Sequence, residues 1–115
     1  MPKTKFKVVL VPFPFDDLSG TKVRPAVCLT DPIGPHNHIV LAFITSRVPS
    51  PLLTTDLVLD VANPDFSTTG LRMTSTLQLH RLMTATTSLL VRELGTLSSK
   101  LQSQVQERLY QLFAL

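Results

Sequence analysis

The segment Lys22-Val23-Arg24-Pro25-Ala26-Val27-Cys28-Leu29-Thr30 is a charged turn that runs into an apolar strand, and a second polar-ended strand, Phe43-Ile44-Thr45-Ser46, follows it. A guanidinium keeps its proton and presents a planar fork of donors that matches phosphate oxygens. An arginine placed just before a buried strand is therefore a fixed positive charge, and Pro25 stiffens its attachment. Thr45 and Ser46 supply hydroxyls at the end of the run His38 to Ile44, where neighbouring strands of a small sheet could bring them close to Arg24. In outline this is an arrangement for handling a phosphate. The same spacing also describes an exposed turn arginine and two hydroxyls that merely close a strand.

Other chemistries find less support. His36 and His38 stand two apart in a breaker-rich loop and His80 is distant, so no metal-ligand spacing is present and no metal or other cofactor is expected. A neutral imidazole at any of the three could serve as a base, but none has a second catalytic group beside it in sequence. The adjacent carboxylates Asp16 and Asp17 read as turn residues satisfying backbone donors. Cys28 sits in apolar context without an activating neighbour and reads as core.

The elements that must position Arg24 and Thr45 are short. Val8 to Phe15 is an apolar strand, and Pro12 and Pro14 predict that it lies at a sheet edge. Asp16-Asp17-Leu18-Ser19-Gly20 is a turn, and a hairpin to Ala26–Thr30 follows. Asp31 to Asn37 is a loop, and Ile39 to Ile44 is a continuous apolar run that predicts a central strand. Val48-Pro49-Ser50-Pro51 cannot donate to a regular ladder and reads as a loop before a strand at Asp56–Leu59. Thr76 to Met83 is a half-buried strand with Leu77, Leu79 and then Leu82 or Met83 inward. Ser88 to Leu94 fits either a short helix or a strand. At the end, Ser99 as cap with Gln102 predicts a helix whose Leu101, Val105, Leu109, Leu112 and Phe113 share a core-packing face. Several short strands and one terminal helix around one core give a compact, partly closed β-barrel.

Composition sets outer bounds. A chain of 115 residues with 43% apolar residues is expected to make one domain, residues 1–115. The formal charge of +3 favours anionic partners, although the basic residues are dispersed. A single cysteine excludes a disulfide framework within the chain. The opening Met1-Pro2-Lys3-Thr4-Lys5 and the short apolar stretch behind it fit neither a signal peptide nor a membrane span, so a cytoplasmic protein without membrane contact is expected.

In order and spacing, the chain resembles the PemK/MazF-type toxins of bacterial type II toxin–antitoxin systems, which are small endoribonucleases. The resemblance runs through Val8-Val9-Leu10-Val11-Pro12-Phe13-Pro14-Phe15, Val23-Arg24-Pro25-Ala26-Val27, Leu41-Ala42-Phe43-Ile44-Thr45-Ser46, Thr69-Gly70-Leu71-Arg72 with Ser75, and Arg92-Glu93-Leu94-Gly95-Thr96-Leu97-Ser98. It implies a mainly β fold, an SH3-like barrel with a C-terminal α-helix. It also implies a homodimer that binds single-stranded RNA, nucleic-acid binding that extends to DNA, and a cognate antitoxin with an acidic C-terminal segment.

Carried over residue by residue, the family's catalytic arginine and threonine are Arg24 and Thr45, with Ser46 beside them. Metal-free cleavage of RNA by attack of the 2′-hydroxyl needs a proton acceptor, a proton donor and positive charge on the phosphorane. Arg24 can supply the charge, whereas proton transfer through a guanidinium is difficult. Lys22, Arg47, Arg72 and Ser75 flank the site as RNA-binding candidates, and Phe13 and Phe15 read as core in preference to base-stacking platforms. The chain departs from the family where Phe6-Lys7 replaces Gly-Asp, and where Gln78 and His80 replace an arginine and an aspartate. Those departures keep open a non-catalytic reading, either a binding module resembling a gyrase poison or a degenerate copy that only engages an antitoxin.

Overall fold

The computed structural model describes residues 3–13 and 22–115, and the expected turn at Asp16–Gly20, with Phe15, lies outside the described residues. Six strands form one antiparallel sheet: β1 (Lys7–Pro12), β2 (Val23–Cys28), β3 (His38–Thr45), β4 (Asp56–Leu59), β5 (Ser75–Thr86) and β6 (Arg92–Thr96). A helix, α1 (Ser99–Phe113), closes the chain, and 3-10 turns occupy Phe66–Thr69 and Thr87–Leu89. The sheet order is β4-β5-β3-β2-β1-β6, a curled half-barrel whose two ends are β4 and β6. No helix among the described residues is long and apolar enough to cross a membrane.

Alternation along β1, β2 and β3 sends apolar residues to both faces, which is why these strands read as unbroken apolar runs. Val8, Val27, Ala42 and Ile44 join Leu57, Leu59, Leu77, Leu79, Leu97, Leu101 and Val105 in one core beneath α1. Val9, Val11, Ala26, Cys28, Ile39, Leu41, Phe43 and Ala85 form a second core on the opposite face. Burial drives the Cys28 thiol up to about 11, so it is core and not a nucleophile.

Three expectations need correcting. β1 is not an edge strand, because it lies between β2 and β6. Pro12 is tolerated there because β6 pairs only with Lys7 to Leu10, so Pro12 lies past the end of that ladder and owes it no N–H. The helix cap is Ser98, whose Oγ accepts from Leu101 N at 3.2 Å, and Gln102 reaches back to the Leu97 carbonyl instead. The apolar stripe of α1 is buried only in its first half, since Leu112 and Phe113 are exposed. The ambiguous Ser88–Leu94 segment resolves into the 3-10 turn and the start of β6.

The chain before β1 is latched to the end of β2. Asp31 Oδ1 accepts from Thr4 N at 3.0 Å and Lys5 N at 3.1 Å, and Thr4 Oγ1 donates to the Thr30 carbonyl at 2.7 Å. The backbone bonds from Lys5 and then Thr4 hold the Asp31 carboxyl below its ordinary value near 3.8. A carboxylate favoured in the folded state stabilises it above that ordinary value and loses the contribution as pH falls beneath it. The variant Asp31→Ala should therefore be less stable than the parent at pH 7 in urea titrations, with the gap closing as the pH is taken below 4. At the other side of the sheet, a Cβ on Gly95 would collide with the Thr68 carbonyl oxygen in the 3-10 turn that packs on β6. Gly95→Ala should cost about 2 kcal/mol or more, read from the urea midpoint.

Candidate functional site

The pairings Val11 to Arg24, Ala26 to Phe43 and Thr45 to Thr76 fix which side chains meet at one end of the sheet. Alternation from the second core puts Phe13, Arg24, Phe43 and Thr45 on that core's face, just beyond its last buried residues. There they border a cleft of about 480 Å³. Its further lining is Pro25, Ile44, Ser46, Arg47, Ser75, Gln78 and Arg81. Arg24, at the start of β2, and Thr45 and Ser46, at the end of β3, thus share one cavity, together with Arg47 and Ser75.

Aromatic packing sets the position of the arginines. Phe13 meets Phe43 edge to face, with centroids 4.8 Å apart and planes at 85°. Arg24 Cζ lies 5.8 Å from the Phe13 ring centroid and Arg81 Cζ lies 5.3 Å from it. Phe13 is thus half-buried wall and guanidinium rest at once, and its ring is engaged by two cations and a second ring. Thr45 Oγ1 accepts from Arg47 N at 3.3 Å, and the buried Thr76 Oγ1 donates to the Arg47 carbonyl at 2.8 Å, so both backbone groups of Arg47 are tied to strand ends. Ser75 Oγ donates to the Met73 carbonyl at 2.9 Å.

The remaining expected residues are placed elsewhere. Lys22 and Arg72 are exposed and do not line the cleft. His36 and His38, the first residue of β3, lie with ring centroids 5.8 Å apart and planes tilted by 34°, and His80 Nδ1 shares a 2.7 Å hydrogen bond with Thr55 Oγ1. None of the three histidines lines the cleft.

Comparison with known proteins places this cavity in context. Residues 4–113 match the family model described as the PemK-like, MazF-like toxin of type II toxin–antitoxin systems. The chain belongs to that toxin family. No curated protein sequence matches it. Among solved structures, the Mycobacterium tuberculosis toxin MazF-mt6 is similar at 23% identity and a TM-score of 0.71, over 95% of this chain and 97% of that one. An endoribonuclease in complex with its cognate antitoxin from a mycobacterial species is similar at 15% identity and a TM-score of 0.68, over 96% and 94%. A further Mtb toxin structure aligns at 22% identity and a TM-score of 0.65, over 90% and 97%. These likenesses establish the PemK/MazF-type fold.

Two residues of the toxin's cleft escape a simple reading of its sequence. In a regular strand Gln78 and Arg81, three positions apart, would point to opposite faces. Phe43 of β3 instead stands against the whole stretch Gln78 to Arg81, because the β3–β5 register jumps from Ala42–Leu82 to Ile44–Leu77. The excess residues let β5 slip phase, so that Gln78 and Arg81 both face the cleft. The signal was available: Leu77, Leu79 and Leu82 all pack toward the same core, and the step of three between the last two can only be made by a slip.

Proposed function

We propose that the chain is a toxin that cleaves single-stranded RNA by attack of a ribose 2′-hydroxyl on the adjacent phosphorus, without a metal. The observation that carries this reading is the convergence of Arg24, Thr45 and Ser46 on one cleft. The scissile phosphate would sit between them. Arg24 stabilises the dianionic phosphorane as it forms, and its rest against Phe13 limits the reorganisation this requires. Thr45 already accepts from Arg47 N, so its own proton is the one it gives, to a phosphate oxygen. Attack makes the bond from O2′ to phosphorus and breaks the bond to O5′; the proton of the 2′-hydroxyl passes to solvent and O5′ takes one from solvent, leaving a cyclic phosphate and a 5′-hydroxyl. Family membership adds a cognate antitoxin, and the solved neighbour that holds its antitoxin supports that partner here. A homodimer is part of the same proposal.

Incubating the protein with a long single-stranded RNA in chelator should yield new 5′-hydroxyl and cyclic-phosphate ends. Arg24→Ala should lower the cleavage rate about 10²- to 10³-fold, as removal of one transition-state donor does, and Thr45→Ala should lower it less. Parent rates from both variants would refute the assignment, and a folded parent that cuts no RNA would favour the non-catalytic toxin fold. Arg47, on the cleft wall, should contribute a phosphate contact whose loss in Arg47→Ala flattens the salt dependence of RNA binding by about one unit of slope. Lys22→Ala, away from the cleft, serves as the comparison, and equal slopes for parent and Arg47→Ala would remove Arg47 from the RNA path.

A further inference from the structure

The slip in β5 brings to the cleft a pair that RNA cleavage itself does not require. Arg81 lies against the Phe13 ring, and its Nη1 donates to Gln78 Oε1 in a long hydrogen bond of 3.5 Å. A guanidinium can only donate, so the Gln78 amide must turn its oxygen toward Arg81 and its NH₂ away. With the amide oxygen turned to Arg81, the pair offers the cleft mainly donors: the remaining N–H groups of Arg81 and the amide hydrogens of Gln78. No carboxylate stands among the described lining residues to take them. Such a surface suits a ligand with acceptors side by side, which are found on phosphates and on the keto edge of a base. The geometry favours a base. Gln78 adds direction but no charge, which gains little on a phosphate, and a guanidinium braced on an aromatic ring and an amide is fixed in plane, as reading a planar edge requires.

We propose that Gln78 and Arg81 form a base-reading subsite that selects a keto base, guanine through its O6 and N7 acceptors, in a nucleotide next to the one cut. Adenine fails there because its 6-amino group would oppose a donor with a donor. The inference rests on the RNA reading above, but on binding and not on cleavage.

Binding by fluorescence anisotropy tests it, using labelled octamers with 2′-fluoro sugars, which carry no attacking hydroxyl. One octamer is all adenosine, one has a single guanosine, and one has a single 2-aminopurine, which keeps the guanine ring nitrogens but lacks O6. The parent should bind the guanosine octamer about fivefold or more tighter than the other two, the low end of what one bidentate base contact gives. Arg81→Lys, which keeps the charge but not the fork, and Gln78→Leu should each erase that preference while leaving affinity for the adenosine octamer within about twofold. Equal affinity of the parent for all three octamers would overturn the proposal. So would an equal loss on every octamer in Arg81→Gln with a reduced salt slope, which marks a phosphate contact. A parent that prefers guanosine through Arg81 yet cuts no RNA would sink the cleavage reading and leave this one standing. A parent that binds no RNA would end both.

Discussion

The break in pairing between β3 and β5 is the constraint on which the site depends. Below it, β5 runs between β4 and the end of β3; above it, β5 pairs with β3 alone. Had β5 kept strict alternation from Leu77 and Leu79, Arg81 would have pointed with them into the core beneath α1. A guanidinium there would have no water and no described carboxylate to meet, a cost far above that of a few missing ladder bonds. The slip restores Leu82 to the core side and returns Met83 and Ala85 to the second core. One irregularity satisfies both cores and delivers two polar side chains to the cleft at the end of the second core.

Rigidity has a different source. Arg24 and Thr45 stand at the ends of strands whose adjoining residues have no exposure at all: Ala26, Val27 and Cys28 after Arg24, and Leu41 and Ala42 before Thr45. Strands buried on both faces belong to the most slowly opening parts of a protein. Side chains carried on such elements keep their spacing without help from a ligand, and the edge-to-face contact of Phe13 and Phe43 extends that order to the arginine side chains. The Asp31 latch acts at the far end of β2, where it fixes the entry of the chain into β1.

How much of this was legible in the sequence depended on whether local or paired information was needed. Continuous apolar runs announced β2, β3 and β4, and the Arg-Pro turn and the Ile-Thr-Ser ending marked two sides of the cleft, because burial and turn chemistry are written residue by residue. The position of β1 is not written in its own residues, since two prolines suggest an edge unless β6 is known to be too short to reach Pro12. The helix is legible but its cap is not, because Ser98 and Ser99 are interchangeable until the backbone says which carbonyl starts the helix. The place of Arg81 is hidden for a similar reason. Its direction is a property of the register between two strands, and only the three-residue step from Leu79 to Leu82 records that register in the chain itself.

Net charge is a poor guide to what such a cleft attracts. The whole chain carries only +3, and part of its charge is paired off outside the cleft, where Lys7 meets Glu93 across β1 and β6. Within the cleft, Arg24, Arg47 and Arg81 gather without an acidic residue among the described lining. Concave walls of low dielectric concentrate that field, so the local potential outweighs the modest total. A cavity of this kind does not distinguish by charge between a ribonucleotide phosphate and an aspartate or glutamate side chain. On the reading proposed above, RNA and an acidic antitoxin segment would therefore compete for the same donors, and inhibition would need no conformational change. What separates the two ligands is then the uncharged part of the site: hydroxyls at Thr45 and Ser46 and the amide of Gln78, whose directional bonds a flexible carboxylate can borrow but only a nucleotide can satisfy together.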